Sequence, residues 1–309
     1  MPPFCVSIGM ISYLCTERER GIFLYHRHFF GHSAIFILLI FILSVLSGCA
    51  EEPVVKTEPV LTVDIRKIGA ADAILLRGTG ETPFSVLIDT GEPDDAEEVL
   101  ACIRAAGVSR LDCLILTHFD KDHIGSAPQV LSRIGADRVL MPACTGEGEE
   151  WDALCASLSA LGDPQESLTA DTAFSFGETA FSVSVPKALP YDKAQDNNSS
   201  LVTFVTFGEH TLCFAGDAEK LRQEELLDAG LSHVSFLKVP HHGVWNKKLD
   251  VFLQALSPDY AVITCSGKNP PEDKVLETLN ALGTKTFLTA DGNVRVTCTR
   301  ETLEVVQIP

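Results

Sequence analysis

The feature that most constrains the fold is an apolar run that ends in a cluster of charged side chains. Residues 113–116 are apolar and predict a buried strand, and residues 117–125 follow it with the sequence THFDKDHIG. In α/β proteins the loops at strand ends carry much of the chemistry, because the rigid sheet fixes their position. A divalent metal ion is the most economical way to hold two imidazoles and two carboxylates within six positions. The stretch therefore predicts a metal site at the end of a central strand.

Apolar runs and amphipathic stretches recur along the chain on both sides of this segment. Apolar runs between residues 60 and 298 predict strands, and amphipathic stretches such as 94–106, 149–161 and 273–282 predict helices between them. The first strands follow one another as in hairpins, and strands and helices alternate further on. This order predicts an α/β protein with two sheets flanked by helices.

The N-terminal region has the pattern of a secretory signal. Residues 33–48 form a nearly unbroken apolar run, and three arginines precede it. The run is shorter than the roughly 20 apolar residues of a membrane-spanning helix. It ends in Leu-Ser-Gly-Cys, which resembles a bacterial lipobox in which Cys49 would be lipidated. An uncleaved membrane anchor is the alternative. Both readings predict a domain on the extracytoplasmic face of a bacterial cell membrane, or a secreted one.

The signal-like N-terminal region divides the chain into three predicted segments. Residues 1–49 are predicted to be a leader with a membrane segment, residues 50–59 a tether with two prolines, and residues 60–309 one folded domain. The first 50 residues hold three of the 24 basic and two of the 42 acidic residues, so 21 basic residues oppose 40 acidic ones in the remainder. The resulting formal charge of −19 argues against broad adhesion to nucleic acid or anionic lipid.

Cysteine usage does not indicate a disulfide framework. Seven cysteines follow Cys49, none with CxxC spacing, and several lie in apolar runs where cysteine is a small core residue. The sequence leaves open whether Cys144 and Cys155 form a disulfide.

Three more strand ends carry polar side chains that can bind metal. Asp89 follows the run at 85–88, Asp217 follows 211–215, and His241 and His242 follow 236–239. Taken alone, Asp217 is also a good helix N-cap and Asp89 can simply close a turn. Their order along the chain, together with the 117–125 cluster, favours a shared site.

This succession of motifs resembles the metallo-β-lactamase superfamily. The pattern His-x-Asp-x-Asp-His at 118–123, with Lys-Val-Pro-His-His-Gly at 238–243, is similar to the metallo-β-lactamase domain of ComEC-type DNA-uptake competence proteins. The segments GAADAIL at 69–75 and NNSSLV at 197–202 resemble further motifs of that group. The resemblance runs from about residue 61 to the C-terminus.

The resemblance implies a four-layer αββα sandwich with one or two divalent metal ions at one edge of the paired sheets. A first metal would bind His118 and Asp120, and a second would bind Asp122, His123 and either His241 or His242. Asp217 would bridge the two metals. Asp89 would orient a ligand by hydrogen bonding rather than touch metal.

Two departures from the family pattern bear on the metal. Asp120 stands where the superfamily usually has a histidine, and Asp196, Asn197 and Asn198 occupy the place of another. Oxygen ligands favour harder ions, so the choice between zinc and manganese shifts towards Mn²⁺ without excluding zinc.

The predicted activity is metal-dependent hydrolysis, since a bound divalent cation lowers the pKa of water to about 7 and supplies a metal-bound hydroxide. The competence-type resemblance implies a phosphodiesterase or nuclease with nucleic acid or a small phosphodiester as substrate, and with Asp122 essential for catalysis. An acyl-bond (lactam or lactone) hydrolase and a non-catalytic surface domain with a partly degenerate site are the alternatives. No protein partner is indicated.

Several residues near these motifs are candidates for substrate binding. Lys238, Lys247, Lys248 and Lys268 either contact phosphate or form a solvated face. The candidates for substrate contact are Asp72, Asn198, Ser200 and Lys238.

Overall fold

Strands and helices alternate along the part of the chain that the computed structural model describes, which comprises residues 58–162, 165–190 and 195–308. Residues 56–309 form one compact unit. The predicted leader at 1–49, including Cys49, and nearly all of the predicted tether at 50–59 lie outside the described residues. Within the described residues, no helix has both the length and the apolar character needed to cross a membrane.

The described residues contain fifteen strands in two sheets. The strands are β1 Leu61–Ile65, β2 Ile74–Gly78, β3 Phe84–Ile88, β4 Cys113–Ile115, β5 Val139–Pro142, β6 Gln165–Leu168, β7 Thr172–Phe176, β8 Thr179–Ser184, β9 Val202–Phe207, β10 His210–Phe214, β11 Phe236–Lys238, β12 Tyr260–Ile263, β13 Lys285–Leu288, β14 Asn293–Cys298 and β15 Leu303–Ile308. The first sheet has the order β15-β14-β1-β2-β3-β4-β5-β6, and the second β13-β12-β11-β10-β9-β8-β7.

Each sheet combines an antiparallel half with a parallel half. In the first sheet β3, β4, β5 and β6 run parallel to one another, and in the second β10, β11, β12 and β13 do. The remaining neighbours pair antiparallel. Parallel neighbours need crossover connections, and helices supply most of them here.

The helices are α1 Ala96–Ala105, α2 Lys121–Ile124, α3 Ala127–Arg133, α4 Glu149–Ala160, α5 Gln195–Asn198, α6 Lys220–Ala229, α7 Leu249–Leu256 and α8 Asp273–Ala281. Short 3₁₀ segments occur at Pro93–Asp95, Pro240–Gly243 and Thr289–Asp291. Of these helices, α1, α4 and α8 coincide with the amphipathic stretches at 94–106, 149–161 and 273–282.

Three apolar cores hold the layers together. The central core lies between the two sheets and includes Val63 and Phe181. A second core packs α1, α3 and α4 on the outer face of the first sheet, and a third packs α6, α7 and α8 on the outer face of the second. Because helices and the opposite sheet cover both faces, β3 and β4 are buried along their whole length. The predicted four-layer αββα sandwich is confirmed.

The polar strand ends meet at one edge of this sandwich. β3 and β4 are parallel neighbours in the first sheet, and β10, β11 and β12 are parallel neighbours in the second, so their carboxyl ends point the same way within each sheet. A hydrogen bond of 2.8 Å from the Leu201 amide to the Thr117 carbonyl joins the two edges. Residues from five strand ends are thereby brought into one region.

The backbone at this edge adopts conformations that are rare for side-chain-bearing residues. Asp89, His241 and His242 have φ of 57°, 48° and 52°. Gly216 has φ of 52°, and a Cβ there would lie 2.9 Å from the Thr117 Cβ, so glycine is required. Such strained residues cluster at functional sites, because the surrounding structure must hold them in place.

All seven described cysteines are free thiols, so Cys144 and Cys155 are not paired. Burial raises the pKa of the Cys113 thiol to about 12. The cysteines in the strands therefore act as small core residues.

Candidate metal centre

Four side chains converge at the edge where the strand ends meet. Donor atoms of Asp122, His123, Asp217 and His242 all lie within 4.8 Å of one another. The Nε2 atom of His242 is 3.3 Å from Oδ2 of Asp122 and 3.3 Å from Oδ2 of Asp217. The Nε2 atom of His123 is 3.4 Å from Oδ1 of Asp217 and 3.8 Å from Oδ2 of Asp122. We call these residues the four-residue cluster.

The four-residue cluster is buried on one side and open on the other. His123 is fully buried, and the side chains of Asp217 and His242 are 3% and 9% exposed. The Asp122 carboxylate is 24% exposed. Asp122 therefore lies where a molecule from solvent would meet the cluster.

Hydrogen bonds determine which imidazole nitrogen of His123 and His242 faces the cluster. The Nδ1 atom of His123 lies 2.8 Å from Oδ2 of Asp89, and that of His242 lies 3.0 Å from the Thr264 carbonyl oxygen. Both partners are acceptors, so Nδ1 donates in each ring, and Nε2 of the neutral ring carries a lone pair. Each Nε2 atom is buried without a hydrogen-bond partner among the described residues.

The same reasoning extends to His118. The Thr117 hydroxyl donates to Oδ2 of Asp89 at 2.7 Å, so it accepts the hydrogen bond of 3.0 Å from Nδ1 of His118. Nε2 of His118 is then an unpartnered acceptor as well, buried within the described structure. Asp89 thus orients His123 directly and His118 through Thr117, which is the supporting arrangement common around metal-binding histidines.

The charges of the cluster are strongly coupled. Burial alone would raise the pKa of the Asp217 carboxyl, but His242, His123 and Lys238 outweigh burial and hold that pKa well below its usual value. Burial likewise opposes ionisation of Asp122, while the neighbouring imidazoles of His242 and His123 lower its pKa to about 2. Both carboxylates are ionised at neutral pH and are acceptors only.

His118 and Asp120 form a second, smaller group beside the cluster. Nε2 of His118 lies 3.6 Å from Oδ2 of Asp120, whose side chain is 38% exposed. The rings of His118 and His123 have centroids 4.1 Å apart, so the group adjoins the cluster. Partial burial and then the charge of Asp120 raise the pKa of Asp196, which places Asp196 within electrostatic reach of this group.

The two adjacent histidines at 241 and 242 have different surroundings. His242 is in the four-residue cluster, whereas Nδ1 of His241 lies 3.1 Å from Oε1 of Glu219. Nε2 of His241 is 3.5 Å from the side-chain nitrogen of Asn197. Of the two candidates, the structure brings His242 to the other ligands and turns His241 towards Glu219.

The four candidates for substrate contact lie beneath the cluster rather than on its open side. Asp72, Asn198, Ser200 and Lys238 are at most 2% exposed. Asn198 Oδ1 accepts from the Arg222 amide at 3.0 Å, and Ser200 Oγ accepts from the Asp217 amide at 3.1 Å. Their burial argues against direct substrate contact, and their hydrogen bonds indicate supporting roles.

The four lysines for which both phosphate contact and a solvated face were open do not form one surface. Lys238 is fully buried, and Lys248 pairs with Glu224 at 3.1 Å. Lys247 and Lys268 are exposed. Burial therefore keeps Lys238 from solvent, and Lys248, although its side chain is 39% exposed, is engaged by Glu224.

Two supporting residues were not predicted from the sequence. Thr264 holds His242, and Glu219 holds His241. Thr264 directly follows β12, a parallel neighbour of the strand that leads to His242, and this was the available signal. Glu219 follows Asp217 by two positions, and no sequence pattern connects it with His241.

The donor set fits a divalent metal ion. Two imidazole Nε2 lone pairs and two ionised carboxylates converge without protons between them when the rings are neutral, which matches the nitrogen and oxygen ligands of zinc and manganese sites. A second set, Asp72, Asp89 and His123, also lies within 4.8 Å. Its carboxylates already accept from Lys238, Thr264 and Thr117, so it fits a metal less well.

Several known proteins resemble this chain in sequence. The sequence pattern of the Metallo-beta-lactamase superfamily matches residues 67–268. ComE operon protein 3 of Bacillus subtilis (strain 168) is 32% identical over 238 residues, which are 70% of this chain and 30% of that protein. Recombination protein 2 of Haemophilus influenzae (strain ATCC 51907 / DSM 11121 / KW20 / Rd) is 28% identical over 260 residues, which are 81% of this chain and 30% of that protein. The chain thus spans less than a third of either relative.

A solved structure shares the fold. A mutant of CmlA beta-hydroxylase matches with a TM-score of 0.52 and 18% identity, covering 88% of this chain and 60% of that one. Likeness at this level of identity concerns the fold alone.

Proposed function

The chain belongs to the metallo-β-lactamase superfamily, and from this premise we propose that it is a metal-dependent hydrolase of phosphodiesters that acts outside the cytoplasmic membrane. The observation that carries the proposal is the four-residue cluster, whose two imidazole Nε2 atoms are buried, unpartnered within the described structure and directed at two ionised carboxylates. When both rings are neutral, this arrangement is costly without a metal ion, because buried polar atoms need partners. In the metal-free protein the carboxylates raise the pKa of His242 to about 9, so a proton on the ring takes the place of the metal.

Each member of the cluster has a separate part in the proposal. His123, Asp217 and His242 would hold one divalent ion from the buried side, and Asp122 would complete the ligand set from the solvent side. A second ion would bind at His118 and Asp120, with Asp217 shared between the two. The metal would be Zn²⁺ or Mn²⁺, and when bound it polarises the scissile bond and activates water at neutral pH.

The chain's own residues orient and charge this site. Asp89 and Thr264 fix the rings of His123 and His242, so that the same nitrogen always faces the cluster. Asp122 has a pKa of about 2, so its carboxylate stays ionised at neutral pH. In this state it can act as a metal ligand or accept a hydrogen bond from a water molecule that enters the site. It is the proposed catalytic residue.

Phosphodiesters are the preferred substrate class for two reasons. Asp120 adds an oxygen ligand where the superfamily usually has a histidine, and oxygen ligands suit the ions used in phosphoryl transfer. The curated relatives are named as competence and recombination proteins, which favours nucleic acid as the bound class. With a formal charge of −19 on residues 51–309, short single strands or small phosphodiesters are easier to accept than long duplex DNA.

The proposed location of the activity is inferred from residues that lie outside the described structure. The apolar run at 33–48 and Cys49 support attachment to the membrane, by lipid or by an uncleaved anchor, with the domain on the extracytoplasmic face. Treatment of bacterial cells that make the full chain with external protease tests this proposal. Digestion of residues 58–308 in intact cells supports it, and protection until lysis contradicts it.

An activity panel tests the proposed substrate class. The full chain, purified in detergent, is freed of metal with a chelator and reloaded with Zn²⁺ or Mn²⁺. We expect hydrolysis of bis-p-nitrophenyl phosphate and of labelled single-stranded DNA, and no turnover of a chromogenic cephalosporin. Cephalosporin hydrolysis without phosphodiester hydrolysis would support the acyl-bond alternative and contradict the proposal.

Two variants link the activity to the site. Asp122→Ala should abolish hydrolysis, because it removes the carboxylate at the open side of the cluster. Asp228→Ala is the matched control, since Asp228 is an exposed aspartate at the end of α6, and it should keep full activity. Full activity in Asp122→Ala would show that the cluster is not the catalytic site.

A further inference from the structure

Lys238 is a fully buried cation directly beneath the four-residue cluster. Its Nζ atom forms an ion pair with Oδ2 of Asp72, lies 3.4 Å from Oδ1 of Asp217 and donates to the Gly216 carbonyl at 3.0 Å. An ammonium group has three protons, and three oxygens surround this one. Its hydrogen-bonding capacity is met entirely by the protein around the site.

The partner of Lys238 connects it to a ligand on the other side of the cluster. Oδ1 of Asp72 accepts a hydrogen bond of 2.7 Å from the Thr264 hydroxyl, and Oγ1 and the carbonyl of Thr264 each lie 3.0 Å from Nδ1 of His242. A continuous series of contacts therefore runs from Lys238 through Asp72 and Thr264 to His242. All four side chains in the series are at most 9% exposed.

The backbone around Asp72 joins the series to both sheets. Asp72 lies between β1 and β2 of the first sheet, whereas Lys238 ends β11 of the second. The Asp72 amide donates to the Asp122 carbonyl at 3.1 Å, and its carbonyl accepts from the Gly91 amide at 2.8 Å. Asp72 is thus fixed in place independently of Lys238, and it can serve as an anchor for the lysine.

Two effects of Lys238 on metal binding oppose each other. A positive charge 3.4 Å from a ligand carboxylate repels an incoming divalent cation, which by itself would make the lysine unfavourable for metal binding. On the other hand, the ammonium holds Oδ1 of Asp217, the oxygen that also lies 3.4 Å from Nε2 of His123. This fixes the carboxylate with Oδ2 at 3.3 Å from Nε2 of His242. Positioning strengthens metal binding, whereas repulsion weakens it.

We propose that Lys238 is a positioning residue of the metal centre, which fixes Asp217 directly and His242 through Asp72 and Thr264 before a metal binds. Positioning outweighs repulsion in this account, because the buried Asp72 carboxylate already neutralises most of the lysine's charge. The inference rests on the proposed metal-dependent function. The inference adds that Asp217 and His242 already hold their ligand positions in the metal-free protein, and that Lys238 keeps them there.

Replacement of the lysine by an uncharged side chain of similar length tests this inference. Lys238→Met is compared with Lys247→Met, a control in which an exposed lysine of the same segment is replaced. The affinity of each full-length protein for Zn²⁺ is measured by chelator competition well below its unfolding temperature. The visible spectrum of the Co²⁺-loaded protein reports the coordination geometry. We expect Lys238→Met to bind Zn²⁺ at least about ten-fold more weakly with an altered Co²⁺ spectrum, and Lys247→Met to match the wild type.

A double variant separates positioning from charge neutralisation and guards against failure of the single variant to fold. Asp72→Asn/Lys238→Met leaves no unpaired charge, and the amide oxygen at position 72 still accepts from Thr264. We expect its metal-free melting temperature to approach that of the wild type, with the loss of Zn²⁺ affinity retained. Wild-type affinity in the double variant would show that Lys238 only neutralises Asp72, and would overturn the inference.

Two further outcomes are distinguishable. If Lys238→Met binds Zn²⁺ as tightly as the wild type or more tightly, repulsion dominates and the inference is wrong while the proposed function stands. If the wild type itself binds neither Zn²⁺ nor Mn²⁺, the proposed function fails, and the inference fails with it.

Discussion

Nδ1 of His123 lies 2.8 Å from Oδ2 of Asp89, and this hydrogen bond determines which ring nitrogen faces the four-residue cluster. The same carboxylate accepts from the Thr117 amide at 2.8 Å and from the Thr117 hydroxyl at 2.7 Å. Asp89 has φ of 57°, so the chain adopts an uncommon conformation to bring this carboxylate under the site. One buried aspartate thus sets the orientation of two histidines.

Replacement of Asp89 should weaken metal binding without removing a ligand. In Asp89→Asn, one acceptor oxygen becomes a donor that faces other donors, so the ring of His123 loses its fixed orientation. We expect a loss of roughly 10–100-fold in Zn²⁺ affinity, measured by chelator competition.

Asp112→Asn is the matched control for this variant. Asp112 accepts from the Ser85 amide at 2.7 Å just before β4 begins, at the opposite end of that strand from the site. It should lower the melting temperature and leave Zn²⁺ affinity unchanged. Equal affinities in Asp89→Asn and the wild type would contradict the orienting role.

The two histidines of the Pro-His-His-Gly segment should respond differently to alanine substitution. His242→Ala removes an Nε2 donor from the cluster, so its Zn²⁺ affinity should fall by more than the roughly 10–100-fold expected for a supporting residue. His241→Ala removes a partner of Glu219 and should keep affinity within a few-fold of the wild type. Metal analysis after gel filtration shows whether each variant retains bound Zn²⁺, and chelator competition measures its Zn²⁺ affinity. The opposite ranking would assign the ligand to His241.

The metal-free protein should lose stability as pH rises from neutral to alkaline. Burial alone would lower the pKa of His242, but the carboxylates of Asp217 and Asp122 raise it from 6.5 to about 9. A pKa that is higher in the folded state gives stabilisation that is complete below pH 6.5 and is lost as pH rises towards 9. A shift of this size corresponds to at most about 3 kcal/mol.

Thermal unfolding of the chelator-treated full chain at pH 6, 7.5 and 9 measures this effect. We expect the melting temperature to fall across that range, and the fall to be smaller in His242→Gln. The Zn²⁺-loaded protein should not show the fall, because the metal replaces the proton on Nε2. A metal-free melting temperature that is constant or rises from pH 6.5 to 9 would contradict the electrostatic picture of the cluster.

The sequence predicts a strand best where both faces of that strand are buried, because the strand then appears as a continuous apolar run. β3 and β4 are fully buried, and their apolar runs were clear in the sequence. No continuous apolar run marks β6 or β7 in the sequence, because both strands are partly exposed and β6 contains Gln165, Glu166 and Ser167. β15 was also missed, since its burial is irregular.

The site was predictable to the extent that its residues follow strands directly. Asp217 and His242 lie just beyond β10 and β11, and the parallel pairing of these strands brings them together. The hydrogen bond from Thr264 to Asp72 joins residues 192 positions apart, so it depends on how the two sheets pack. The burial of Lys238 depends on the same packing, and a sequence that shows only its charge suggests substrate contact.

The central claim is that the four-residue cluster binds a divalent metal ion, and metal content measures this most directly. The full chain, purified in detergent without chelator and then titrated with Zn²⁺ or Mn²⁺, is analysed for bound metal and for melting temperature. The account predicts at least one equivalent of metal per chain and a rise in melting temperature on titration, both lost in Asp122→Ala/His242→Ala. Less than one equivalent, with no rise in melting temperature, would contradict it.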